Sequence, residues 1–387
     1  MAVIAFVTVT VIVNAQIRGV LIMKYLKRET SRVYIMLGNQ CNMSCTYCLQ
    51  HPLVNRQIAN EINPEIYDFL CEVAYENKEH RLRIVFYGGE PLLYFENIKT
   101  VVEILNQRNG VEFEYAVISN GKAVTDEMVK FFNDHKVAVT ISWDGNTVLE
   151  TRGFDVFAEP EHTERLLKIN DLCLSGVISA RAYPKELLDA MQRLSNKYYG
   201  IHGYHLGVNL DEIFDTGIAD KDLLALDYDR VREEMAGIMA VVDPYLNGVE
   251  VYKADDCIKI AYIYGLVKRL AKPNWQGCTV YCGNGLSVLN LDLQGNLYPC
   301  HNTSEKVGSI GDVFYKYLDQ VLATDDTRLH KEQCASCEVV ALCRGGCKLV
   351  KPKARESGYC KLKQAMFAPV LSYIEKIGAY EKEAGLC

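Results

Sequence analysis

The sequence has no cluster of basic residues. Its 42 Lys and Arg are outnumbered by 49 Asp and Glu, giving a net charge of −7 over 387 residues. A nucleic-acid partner needs a concentrated positive footprint, so none is expected. No apolar stretch is long enough to cross a bilayer as a helix. The run Ala2–Val13 spans twelve residues, against roughly 20 for a spanning helix. No positive segment precedes that run, which makes it a poor secretory signal despite the cleavage-like VNA at its end, and no membrane partner is expected. Met23, followed by KYLKRETSRVYIML, reads as a domain start. Residues 1–29 are therefore expected to be an N-terminal extension, from a mis-assigned start or as a loosely attached strand rather than a membrane anchor, and the protein to be cytoplasmic. Internal repeats and low-complexity tracts are also missing. What remains, 49% hydrophobic and 24% charged, is the balance of a globular protein.

What stands out is cysteine, with fifteen residues. In a chain of this size, metal ligation explains them better than a disulfide framework. Three of them, Cys41, Cys45 and Cys48, share the eight residues CNMSCTYC. That odd number suits pairing badly. It suits an iron–sulfur cluster, or zinc with a fourth ligand.

Short apolar runs alternate with helical patterns from Val33 to Val208. Strands are expected at Val33–Leu37, Arg83–Tyr87, Glu114–Ile118, Val137–Ser142, Val177–Ala182 and Gly203–Val208. Asn63 and Pro64 open the first helical pattern as cap and first helical residue. Thr125 opens another, with two acids in its first turn. Six β–α units in a row predict a parallel sheet with helices outside, curled toward a barrel or part-barrel. The acidic stretch Asn209–Asp227 reads as a loop. Helices are expected at Tyr228–Val242, Asp255–Leu270 and Gln364–Tyr380. From Cys278 to Cys360 eight cysteines crowd a core-poor segment, which needs a metal or cluster to hold it together.

The cysteine loop follows the first predicted strand, where a barrel places its active site. CNMSCTYC, with Tyr47 before the last cysteine, resembles the signature of the radical S-adenosylmethionine (SAM) enzymes. The resemblance implies a four-iron cluster on Cys41, Cys45 and Cys48. Its open iron would chelate SAM, and SAM would be cleaved to a 5′-deoxyadenosyl radical. FYGGEP (Phe86–Pro91) resembles the GGE motif of that family. It implies that Gly88, Gly89, Glu90 and Pro91 contact SAM, with Glu90 at its amino group. ISNG (Ile118–Gly121) and ISWDG (Ile141–Gly145) resemble motifs of the peptide-modifying branch. They imply SAM-carboxylate contacts from Ser142 and Arg152, with Asn120 and Asp144 nearby, while the last strand, YHLGV, is expected to offer the backbone of Leu206 and Gly207 to adenine.

The later cysteines, read as C-x12-G-x4-C, then C-x2-C-x5-C-x3-C, then C, resemble the SPASM auxiliary-cluster domain of radical SAM maturases. That resemblance implies two further four-iron clusters, on Cys278, Cys282, Cys300 and Cys347 and on Cys334, Cys337, Cys343 and Cys360. Zinc is the alternative metal for this array. The fold class implied is α/β: a partial (β/α)6 TIM-type barrel, a small cysteine-rich SPASM domain and a closing helix. The expected domains are a barrel at 30–250, a helical linker at 251–277, SPASM at 278–363 and a terminal helix at 364–387. The remaining cysteines read as ordinary small buried residues.

The implied activity is SAM-dependent modification of a peptide or protein side chain, with electrons from a flavodoxin or ferredoxin. Cross-linking of a ribosomally made peptide, through a thioether or carbon–carbon bond, is the first expectation. Formylglycine formation of the anaerobic sulfatase-maturase type is the second. Relatives of the second kind carry an Asp base directly after the cysteine that closes G-x4-C. His301 stands there in this chain and is the candidate base. An iron–sulfur electron carrier, or a zinc-stabilised binding module, is the reading from another class.

Overall fold

The computed structural model describes residues 29–50, 61–215, 220–246, 248–249, 253–271, 287–312, 332–347, 349–350 and 358–383. Residues 1–28, with most of the expected extension, lie outside these, as do the expected ligands Cys278 and Cys282. The chain divides into two compact units, taken here over their described residues. One is built from Met1–Cys41, Pro52–Ile118 and Cys282–Asp325, the other from Asn42–His51, Ser119–Tyr281 and Asp326–Cys387.

In the first unit, strands β1 (Arg32–Met36), β2 (Arg81–Tyr87) and β3 (Glu112–Ser119) alternate with helices α1 (Glu65–Glu76) and α2 (Phe95–Asn106). β1 lies parallel between β2 and a later strand, β7 (Val288–Asp292), with Tyr34 opposite Val85 on one side and Asn290 on the other. A parallel strand with neighbours on both edges is buried on both faces, and Val33, Ile35, Ile84, Phe86 and Leu291 are fully buried. The Asn63 side chain accepts from the Glu65 amide (3.1 Å) at the start of α1, the capping expected from the sequence. Its buried face carries Ile66, Phe69, Leu70, Val73 and Ala74.

β7 turns back into β8 (Asn296–Tyr298), which pairs antiparallel with it and then with β9 (Gly308–Ser309). Gly295 makes that turn at φ +78°, and a side chain there would meet Ile310 at 2.7 Å. The glycine of the cysteine pattern is therefore a hairpin requirement.

In the second unit, β4 (Val137–Ser142), β5 (Leu172–Ile178) and β6 (Gly207–Glu212) are parallel, with Ser142 opposite Ser175 and Ser175 opposite Asn209. The connecting helices are α3 (Asp126–Asp134), α4 (Val148–Arg152), α5 (Pro160–Leu167) and α6 (Pro184–His202). Thr125 caps α3, its hydroxyl accepting from the Met128 amide at 3.2 Å. β5 starts five residues before its expected position. Ser175 and Gly176 disguise it in the sequence, and the apolar run continues past it into a tight Ser179–Ala182 bridge. β6 runs into the stretch expected to be loop. Its two acids, Asp211 and Glu212, are accommodated by specific partners, which an apolar pattern cannot reveal. After the short α7 (Lys221–Leu224), helices α8 (Tyr228–Leu246), α9 (Cys257–Ala271), α10 (Glu332–Ala335), α11 (Val340–Cys343) and α12 (Cys360–Glu383) complete the unit. α12 packs along α8, burying Leu362, Ala365, Met366 and Val370.

Candidate functional site

The candidate residues fall into one group in each unit and the C-terminal cysteine array. In the first unit, GGEP leaves β2 and folds against the backbone that leads from β1 to Cys41. The Gly89 amide donates to the Gly38 carbonyl (2.9 Å) and the Glu90 amide to the Gln40 carbonyl (2.8 Å). Gly88 has φ +148°, and a Cβ on it would stand 2.3 Å from the Gly38 oxygen. One on Gly89 would stand 2.4 Å from the Gln40 oxygen. The missing side chains thus let this loop approach the backbone between β1 and Cys41. Glu90 is buried, and its carboxylate accepts from the Leu92 amide (3.0 Å), capping a 3-10 turn that Pro91 opens.

His301 lies in the same unit, stacked on Tyr34 (ring centroids 4.2 Å, 15°) and met edge-on by Tyr87 (4.7 Å). The Asn290 amide nitrogen reaches the Tyr298 carbonyl (3.5 Å), which leaves its oxygen as the acceptor for His301 Nδ1 (3.3 Å). That assigns the ring proton to Nδ1 and the lone pair to Nε2. Burial, then the charge of Arg32, pushes the His301 pKa down to about 4, so the ring is neutral at physiological pH.

In the second unit, Asp144 follows β4 and is 1% exposed. Its carboxylate accepts from the Tyr47 hydroxyl, Thr151 Oγ1 (2.7 Å), Arg152 Nε (3.0 Å) and Nη2 (3.1 Å), and the Val177 amide (2.9 Å). Burial opposes the Arg152 charge, but Tyr47 and Asp144 outweigh it and raise its pKa. Burial raises the Tyr47 pKa well above its ordinary value. Asn120, after β3, donates to the Asn42 side chain (2.8 Å). Ser142 ends β4, and Leu206 is buried just before β6. Neither Thr46 nor Thr151 occupies a fixed position of any motif; they are joined by the Thr46 amide and hydroxyl, which donate to the Thr151 carbonyl (2.9 and 3.0 Å).

The twelve described cysteines are thiols, each partly exposed. In the C-terminal array, the Cys337 amide donates to the Cys334 carbonyl (3.3 Å). Burial pushes the Cys343 thiol up to about 11, with Lys363 opposing and Glu212, Cys360 and Cys337 adding to the rise. Cys343, Cys360 and Cys337 are therefore electrostatic neighbours. The Cys347 amide donates to the Tyr359 hydroxyl (3.0 Å), and the Asn302 amide donates to the Cys300 sulfur (3.4 Å). Among the described residues, no three His, Cys, Asp or Glu side chains close around a single-ion site. Thiols that bind separate corners of an iron–sulfur cube stand farther apart than the ligands of one ion. The soft donor set fits such a cube. Two groups went unnoticed in the sequence: Lys363, almost wholly buried, and Glu212, its partner at 2.6 Å. A lysine in a polar helical pattern gives no sign of burial.

Residues 35–151 match the Radical SAM superfamily. The chain is 23% identical over 362 residues to a Cysteine-type anaerobic sulfatase-maturating enzyme of Clostridium perfringens, covering 84% of this chain and 92% of the relative. It is 20% identical over 353 residues to the Radical SAM cyclopropyl synthase TigE of Paramaledivibacter caminithermalis, covering 82% and 68%. Among solved structures, native anSMEcpe with bound AdoMet superposes with TM-score 0.64 at 19% identity, over 91% of this chain and 99% of that one. Streptococcus suis SuiB bound to precursor peptide SuiA gives 0.52 at 15%, over 83% and 72%. The fold is thus a mixed α/β one with a partial β/α barrel core and a C-terminal cysteine-rich region. Residues 35–151 thus carry a radical SAM domain, and the chain is similar to the anaerobic sulfatase-maturating enzymes over most of its length.

Proposed function

We propose that this protein oxidises a Cys or Ser side chain of a protein or peptide substrate to formylglycine. The observation that carries this reading is the reach of the similarity. The cysteine-type sulfatase-maturating relative is matched over 92% of its length and 84% of this chain. A structure of anSMEcpe with bound AdoMet and a Cp18Cys peptide gives the same superposition score, 0.64. This ranks formylglycine formation above the cross-linking expected first from the sequence.

The reading assigns a four-iron cluster to Cys41, Cys45 and Cys48. It assigns two auxiliary clusters to Cys278, Cys282, Cys300 and Cys347 and to Cys334, Cys337, Cys343 and Cys360. Ser142 and Arg152 serve the SAM carboxylate, and Glu90 its amino group. When bound, these groups supply a 5′-deoxyadenosyl radical and an acceptor for one electron. The substrate Cβ loses a hydrogen atom, its sulfur or oxygen loses a proton, and one electron departs. For cysteine, water then replaces sulfur, releasing hydrogen sulfide. His301 stands at the position of the candidate base, but burial and the Arg32 charge lower its pKa to about 4 and make it a weak acceptor for that proton. A flavodoxin or ferredoxin donates the starting electron. The cytoplasm suits a protein whose described cysteines are all thiols. Among the described residues, no helix is long and apolar enough to cross a membrane.

The second reading, a cross-link within a ribosomally made peptide, is favoured by His301 itself, which stands where the sulfatase-maturase resemblance calls for Asp. The test is anaerobic purification, quantification of iron, sulfide and zinc, then addition of dithionite, SAM and peptides with a central Cys or Ser. Formylglycine is trapped as a hydrazone, with 5′-deoxyadenosine formed alongside. Loss of two hydrogens with no trappable aldehyde supports the cross-link. Zinc in place of iron, with no 5′-deoxyadenosine, overturns both.

A further inference from the structure

Asp144 stands out because its bonding capacity is used up inside the protein. A carboxylate offers about four lone-pair sites. Here five donors converge on it, three on Oδ2 (Tyr47, Thr151 and Arg152 Nε) and two on Oδ1 (Arg152 Nη2 and the Val177 amide). The donors come from the cysteine loop, from α4 and from β5. They form no single local turn.

The same loop is tied down on either side of that contact. Asn42 is held by the Asn120 side chain (2.8 Å) and by Lys122 Nζ on its carbonyl (3.4 Å). Thr46 bonds the Thr151 carbonyl twice, and its own carbonyl accepts from the Asp220 amide (3.3 Å). The Tyr47 ring packs against Ile213 and Leu223. All of these are protein–protein contacts. Arg152, meanwhile, has five N–H donors, and Asp144 takes its Nε/Nη2 edge, which fixes the plane of the guanidinium.

We propose that Asp144 is a positioning residue rather than a ligand of SAM: one carboxylate sets both the pose of the cysteine loop, through Tyr47, and the aim of Arg152. Cluster geometry and recognition of the SAM carboxylate are thereby coupled through a single side chain. The proposal rests on the radical SAM reading for the meaning of the loop, while the clamp itself is a property of the protein.

The test uses the full chain with Asp144→Asn, Tyr47→Phe and Thr151→Val. Amide hydrogen exchange of residues 42–48 is followed in the protein as purified anaerobically. After reconstitution with iron and sulfide, the spectrum of the reduced cluster is recorded with and without SAM. Losing one buried hydrogen bond in Tyr47→Phe should speed exchange in this loop roughly tenfold, with exchange in β4 and β5 unchanged. Each variant should also alter the SAM-induced change in the cluster spectrum, Asp144→Asn most. If Tyr47→Phe and Thr151→Val leave loop exchange and spectrum as in the wild type, the clamp is refuted, even should Asp144→Asn fail to fold. If Asp144→Asn weakens SAM binding with loop and spectrum unaltered, Asp144 is a SAM ligand and the proposal falls. Absence of any SAM response in the wild type would sink the radical SAM reading instead, and the exchange comparison would still decide the clamp.

Discussion

Gly88 and His301 show how much one residue can decide in this molecule. A methyl group on Gly88 would stand 2.3 Å from a backbone oxygen, at a φ of +148° that L-residues avoid. Neither the strand exit nor the segment before Cys41 can yield cheaply. Gly88→Ala should therefore cost on the order of 3 kcal/mol, seen as a lower urea midpoint. His301 has a lowered pKa, so between pH 6.5 and about 4 the unfolded chain binds a proton that the folded chain does not. Stability should fall as pH drops through that window and level off below it. In urea titrations of metal-free protein, His301→Gln should flatten this slope; an unchanged slope would show the ring to be protonated in the fold. These residues were visible in the sequence for chemical reasons, as parts of motifs. The close approach of Gly88 to Gly38 and the stack of His301 on Tyr34 were not, because each joins residues distant along the chain.

Elements were legible where one local rule governs them. The caps at Asn63 and Thr125 and the strand Val137–Ser142 follow from residue type and alternation alone. β7 was missed although it is buried throughout. Its sequence, VLNLD, carries Asn290 and Asp292, which look like loop residues. Asp292 is satisfied by the Gln294 and Asn296 amides (2.9 and 3.0 Å), the Asn296 side chain and the Tyr298 hydroxyl (both 2.8 Å). Polar residues enter a core only with such partners, and those partners lie in the hairpin itself.

α12 hides a similar case. Lys363 pairs with Glu212 of β6 and lies near the rings of Tyr359 and Phe367 (5.4 and 5.1 Å). Lys363→Ala would leave Glu212 buried without its cation and should cost about 3–5 kcal/mol. The double change Lys363→Met with Glu212→Leu should recover most of it. Chemical denaturation measures both, and a single variant as stable as the wild type would show the pair to be idle.

At the scale of the whole chain, eleven proposed ligands divide into a set of three and two sets of four. Reconstituted protein should then bind about twelve irons, four to each cube. The double variant Cys334→Ala, Cys337→Ala should lose about four of them yet still cleave SAM when substrate is absent. Cys45→Ala should abolish 5′-deoxyadenosine. Iron analysis with a product assay separates the two. The fold class was readable because β–α alternation repeats along the chain. The division into units was not, since each is gathered from three separate stretches.

That gathering bears on how the protein is made. β1 is synthesised early, yet one of its two neighbours, β7, emerges from the ribosome some 250 residues later. Until then one edge of β1 has no strand to bond, so the nascent chain must be kept from aggregating for most of translation. Metal insertion at the loop after β1 would accordingly be among the last events of biogenesis, and expression at low temperature with slowed elongation should raise the yield of soluble protein.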